Sequence, residues 1–246
     1  MMRMRKFFIF PALLCMGIFL LVKGMHAQNP APAQSPLRLG FGISGTAYQG
    51  DLTTHNDRFY RFNPGFNASL QFASQKLITP QVNVGFGKFT AQDRDIAAVD
   101  GIQPNTFVET NFFNVDLRLK VRFFRKHMVN PYGSIGIGLL GYTPRDINGN
   151  GLVENTNTRN EDEIYGSITA SFPLSAGIEV HMNPILSLGC EYTYRPTGTD
   201  YLDNIGQLGL AEGNDKLHTI LLVVYFTLDP EGLNDWRNLR GRDSRD

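Results

Sequence analysis

The chain has 246 residues, with 23 basic side chains balanced by 23 acidic ones and 25 glycines. No basic patch interleaved with aromatics occurs along it, which excludes a nucleic-acid-binding profile. The only cysteines, Cys15 and Cys190, fall in segments of different fate, so no internal disulfide is expected.

Arg3, Arg5 and Lys6 precede an apolar run from Phe7 to Val22, and the "GMHA" that follows ends at Ala27. This pattern predicts a secretory signal peptide over 1–27. The apolar run is shorter than the roughly 20 residues of a membrane helix. Leu14 stands before Cys15 where a lipid-anchoring signal wants a small residue. Loss of Arg3, Arg5, Lys6 and Lys23 leaves 19 basic against 23 acidic residues, a net charge of −4. "NPAPAQSP" (29–36) reads as the end of an extended leader over 28–36.

From residue 37 onward the hydrophobic period is two, the mark of strands. In "NVDLRLKVRF" (114–123), Val115, Leu117, Leu119, Val121 and Phe123 share one face, while Asp116, Arg118, Lys120 and Arg122 share the other. Comparable alternation over 37–48, 65–74, 78–89, 164–181, 185–195 and 216–228, with the glycine-rich 132–142, gives eight strands. The connections near 51–64, 93–111, 144–163 and 196–215 are long and polar; those near 75–77, 124–130 and 182–184 are short. Short periplasmic turns and long extracellular loops around an even number of antiparallel strands are the signature of an outer-membrane barrel.

The expected fold is therefore an all-β, eight-stranded antiparallel transmembrane up-and-down β-barrel over 37–228, followed by a periplasmic tail over 229–246. A soluble eight-stranded barrel would turn its apolar face inward and carry Lys and Glu outside. Here the polar face carries Gly40, Gly42, Ser44, Ser69, Asn83, Gly85, Gly87, Ser134, Gly136 and Gly138 instead. Small residues suit a narrow lumen that makes room for a few long side chains. Phe113 and Phe123 lie ten residues apart on the apolar face, which for a strand tilted by about 40° spans roughly 25 Å, the height between two aromatic girdles.

The lumen-facing charges are Arg38, Asp116, Arg118, Lys120, Arg122, Glu179, Glu191 and Arg195. Unpaired charges are costly in such an interior, so an ionic plug is expected. His181, Glu179 and Ser187 form the only arrangement resembling a nucleophile with its base, and they face inward, away from lipid. No catalytic residue is assigned. "DINGNGLVEN" (146–155) offers Asp146, Asn148, Asn150 and Glu154 at the early spacing of a calcium loop, with Asn157 where a bidentate Glu belongs. Weak calcium binding in 146–157 is one expectation and an ordinary Asn-Gly turn the other. No further cofactor is expected. In the tail, Leu233, Trp236 and Leu239 share one helical side, an anchor pattern for a periplasmic partner.

"RPTGTDYLDNIG" (195–206) resembles the R-x-T-x-T-D-Y-L-D-D-V-S signature of small outer-membrane barrels related to PorG of the type IX secretion machinery. "YQGDL" (48–52), "NPYGSIGIGLLGYTP" (130–144) and "PLSAGIEVHMNPILSLGCEYTY" (173–194) fit the same family, while Asn204-Ile205-Gly206 stands where the family has D-V-S. The resemblance implies a monomeric, non-enzymatic accessory or anchoring barrel, in contact with outer-membrane lipids and with periplasmic secretion-ring or envelope proteins. Calcium-dependent surface binding and lipid modification are the rival functions. Thr199, Asp200, Tyr201 and Asp203 are expected to form a lid on the outer mouth, opened by a short helical turn and braced by Arg58, Arg61 or Arg159.

Overall fold

The computed structural model describes residues 37–53, 61–72, 77–93, 98, 101–124, 127–153, 164–183, 185–206, 209 and 213–228. The signal segment, the leader, Glu154 and the tail with Leu233, Trp236 and Leu239 lie outside the described residues. The strands are β1 (Leu37–Gln49), β2 (Asn63–Phe72), β3 (Ile78–Gln92), β4 (Phe107–Arg122), β5 (Val129–Arg145), β6 (Ile168–Ser171), β7 (Leu174–His181), β8 (Leu186–Pro196) and β9 (Lys216–Leu228). Neighbours in sequence pair antiparallel, except that β6 and β7 both pair with β5, and β1 closes the ring on β9. Antiparallel closure satisfies every ladder without leaving an edge, which is the condition for strands to cross a bilayer.

β6 and β7 are two halves of one spanning strand. Both pair with β5 in a single register, Gly138 opposite Ser171 and Ile135 opposite Leu174. The break falls at Phe172-Pro173. Pro173 has no N–H to give the ladder, but its carbonyl still accepts from Gly136 N at 2.9 Å. The ring thus has eight spans, and the expected strand over 164–181 is corrected to begin at Ile168 with this interruption.

The faces divide by polarity. Phe66, Leu117 and Ile137 are 68, 61 and 62% exposed on the outside, whereas Asp116, Lys120 and Glu179 are wholly buried within. Small lumen residues make this possible: a Cβ on Gly138 would strike the Asp116 carboxylate, and one on Gly40 would lie 2.7 Å from the Tyr225 ring. Among the described residues no helix is long and apolar enough to cross a membrane; the strands do so.

β4 starts seven residues before the expected Asn114 and β5 runs on to Arg145. Sequence periodicity missed these ends because the polarity of the two faces reverses there. Above Phe113 the outward positions are Asn111 and Glu109, with Lys88 beside them on β3, and the inward ones are Val108, Phe89, Ala91, Leu140 and Tyr142. These apolar side chains pack with Leu52, Leu152, Leu202 and Ile205 from the long connections and Leu217 of β9. The strands therefore rise beyond the bilayer into a collar that encloses an ordinary hydrophobic core.

Candidate functional site

The lumen is filled by two storeys of ion pairs. The lower one centres on Glu179 of β7. Its carboxylate accepts from Arg38 of β1 at 2.6 Å and from Lys120 of β4 at 2.9 Å, with Arg122 at 3.7 Å. Lys120 Nζ also lies 3.6 Å from the centre of the Tyr132 ring and 4.6 Å from that of Tyr225, a cation–π arrangement that spreads positive charge one carboxylate cannot neutralise alone. Arg122 donates further to Thr79 and Gln71, at 2.9 and 2.8 Å.

The upper storey centres on Asp116. Arg195 donates twice to it, at 2.6 and 2.8 Å, and Arg118 donates at 2.7 Å. Arg118 also reaches Glu191 at 3.0 Å, and Glu191 accepts from the Tyr132 hydroxyl at 2.9 Å. Tyr132 thus links the storeys, its ring on Lys120 and its hydroxyl on Glu191. The structure places all eight charged residues of the expected plug in these two groups. The void left beside Asn114, Arg118, Glu191 and Arg195 is about 10 Å³, room for about one water molecule.

The Ser187–His181–Glu179 group lies at the periplasmic end but lacks the geometry of a nucleophilic triad. A triad uses one imidazole nitrogen for the serine and the other for the acid. Here His181 Nδ1 faces both, 2.8 Å from Ser187 Oγ and 3.5 Å from Glu179. The serine oxygen also accepts from Arg38 at 2.7 Å.

Over the upper storey the segment 197–206 crosses the mouth as a roof. Thr199 Oγ1 accepts the Tyr201 amide at 3.2 Å, and the following residues turn without forming a helix. Asn204 takes φ 65°, a left-handed conformation its short side chain tolerates. Leu202 and Ile205 are fully buried in the collar core, and Tyr201 stacks on Tyr165 at 4.6 Å. Thr110 Oγ1 donates to the Leu202 carbonyl at 2.7 Å and Asn105 Nδ2 to the Asp203 carbonyl at 2.9 Å.

Asp203 itself is held without an arginine among the described residues. Arg58 and Arg159 lie outside the described residues, and Asp203 is completely buried, with Tyr48 and the Ile205 amide as its partners in place of Arg61. The Tyr48 hydroxyl lies 2.7 Å from Asp203 Oδ2 and 2.6 Å from Asp215 Oδ1. Asp215 Oδ2 accepts the Leu202 amide at 2.8 Å. Burial first, then the nearby Asp51 charge, push Asp203 up to about 8. Burial and the Asp203 charge push Asp215 up as well. Asp215, Thr110 and Asn105 were not legible as site residues: each is an isolated polar residue with no spacing motif, and their partners lie far away in sequence.

At the tip beyond β5, both oxygens of Asp146 are engaged by the turn itself. Oδ1 accepts the amides of Asn148 and Asn150, each at 2.8 Å, and Oδ2 accepts Asn150 Nδ2 at 2.9 Å. Gly149 closes the turn at φ 86°. In this arrangement Asn150 turns its nitrogen, not its oxygen, toward Asp146. Among the described residues no group of three His, Cys, Asp or Glu side chains is placed to hold a metal ion.

A closed antiparallel ring, a lipid-facing apolar band and a charge-filled lumen define a small outer-membrane β-barrel. The chain belongs to the outer membrane protein beta-barrel domain family, whose model matches residues 17–226. No curated protein matches the sequence. The fold is similar to that of Neisserial surface protein A, with a TM-score of 0.51 at 10% identity over 79% of this chain and 98% of that one. It is also similar to Ail of Yersinia pestis (TM-score 0.44, 13% identity, 77% and 96% covered) and to OprG of Pseudomonas aeruginosa (0.44, 7%, 79% and 96%). The protein resides in the outer membrane of a Gram-negative bacterium.

Proposed function

We propose that this protein is a non-enzymatic anchoring component of the outer membrane, serving protein export as PorG-related barrels serve the type IX machinery. The observation that supports this reading most is that the barrel is closed to traffic. Its lumen holds two ion-pair storeys with a void of about 10 Å³, under a roof tied into the collar core. Such a barrel works through its surfaces. Asp203 and Asn204 of the roof spend their side-chain hydrogen bonds on the barrel's own residues, which favours partner contact on the periplasmic side. There the short connections lie, and the segment 229–246 with Leu233, Trp236 and Leu239 continues from the end of β9.

Two measurements test the reading. The purified protein in a planar bilayer is expected to give no steady conductance; a large, stable open-channel current defeats the closed-barrel argument. In cells, a photo-crosslinker at position 236 is expected to capture periplasmic envelope proteins, and removal of 230–246 to impair export of secreted cargo while the barrel still folds. Unchanged export together with crosslinks to lipid alone would sink the anchoring role.

A further inference from the structure

Two short contacts meet at one phenolic oxygen, Tyr48 Oη, which lies 2.7 Å from Asp203 Oδ2 and 2.6 Å from Asp215 Oδ1. Oxygens this close hold a hydrogen between them. The phenol owns one hydrogen, and an ionised carboxylate is an acceptor only. The second contact therefore needs a hydrogen that belongs to a carboxyl group. The outer oxygens of the pair are already acceptors, Asp203 Oδ1 of the Ile205 amide at 2.9 Å and Asp215 Oδ2 of the Leu202 amide at 2.8 Å. One place remains for the extra proton, on the line through Tyr48.

We propose that the roof is a proton-keyed latch: the closed state holds one proton shared along Asp203, Tyr48 and Asp215, and opening releases it. The surroundings keep that proton in place. Tyr48 comes from β1, Asp51 from the turn after it, and Asp200 from the roof itself, while β4 and β5 present Thr110 and Tyr142 and the connection before β4 presents Asn105. None of the ion pairs among the described residues brings a cation to Asp203 or Asp215. Two buried carboxylates facing one another without a cation cannot both ionise cheaply.

The sign of the pH dependence follows. In the open state the two residues are ordinary aspartates near pKa 4 and hold no proton above about pH 5. In the closed state the pair keeps one until about pH 8, a value that belongs to the coupled pair. The closed state thus binds one more proton between these limits. The opening constant rises with pH about tenfold per unit across that window, roughly a thousandfold in all, and is level above it.

Hydrogen exchange by mass spectrometry on the full-length protein in detergent micelles, from pH 5 to 9, reads this directly. Protection of the amides of 199–206, after division by the intrinsic exchange rate at each pH, is expected to fall about tenfold per pH unit and then level off near pH 8. Amides of β3 and β4 serve as the level control. Asp203→Asn and Asp215→Asn each supply the second hydrogen from a carboxamide that does not titrate, so their profiles are expected to be level throughout. A level wild-type profile between pH 5 and 8 overturns the latch, as does the wild-type slope surviving in both variants. Folding of each variant is checked by its gel shift on boiling; if neither folds, the wild-type profile decides.

Discussion

Tyr48 and Asp203 stand 155 positions apart in the chain and meet at 2.7 Å beneath the roof. They belong to "YQGDL" and "TDYLD", two of the segments on which the family resemblance rests. Those segments are one structural unit. Leu52 and Leu202 share the collar core, Thr199 sets the turn, and Tyr201 stacks on Tyr165. The conspicuous polar signature is therefore bonded into the collar at the barrel's mouth.

Tyr48→Phe removes the hydroxyl and leaves two buried carboxyl groups facing each other. Loss of a partner for buried polar groups costs about 1–3 kcal/mol. The roof is expected to open more readily by that amount, with faster chymotrypsin cleavage at Tyr201, while the urea midpoint of the barrel stays put.

Glu179 is the only carboxylate in the lower storey's described ion pairs, with Arg38, Lys120 and Arg122 around it. Removing one partner of a buried ionic cluster strands the others, at about 3–5 kcal/mol. Glu179→Ala is expected to lower barrel stability in urea by that order. Lys88→Ala, which breaks an exposed pair with Glu109, is expected to cost about 0–1 kcal/mol.

Cys190 lies on the outward face of β8 in line with Leu188 and Tyr192, and is half-buried. Apolar, membrane-permeant maleimides are expected to label it in the folded protein in lipid vesicles, and charged ones to leave it unmodified. Efficient reaction with the charged reagent contradicts the assigned lipid face.

Calorimetric titration with calcium is expected to give the same heats for wild type, Asp146→Ala and Asn150→Ala, because Asp146 already serves as acceptor for three donors within its turn. A binding heat present in wild type and absent from both variants would show that the turn reopens around an ion.

The lipid-facing band and the lumen charges were legible because a bilayer forces strict alternation, as from Val115 to Phe123. The same rule hid residues 107–113 and 143–145, where water returns to the outside and the faces exchange polarity. Long-range pairing was beyond local pattern: Arg195 meets Asp116 across 79 positions. Asp203 was expected at an arginine-braced lid, yet tertiary packing buries it completely against Tyr48. The calcium pattern matched residue types without fixing which way an amide side chain turns.

The exchange of polarity just above Phe86 and Phe113 also fixes how deep the protein sits. Sinking by one turn of the outward pattern would carry Lys88, Glu109 and Arg145 toward hydrocarbon, and charges on a lipid face cost more the deeper they go. Rising would bare the phenylalanines to water. A membrane of different thickness must therefore bend to this barrel, thinning or swelling in the annulus around it. The chain acts as a gauge for its bilayer, and that property sorts rigid proteins among membranes even where no partner recognises them.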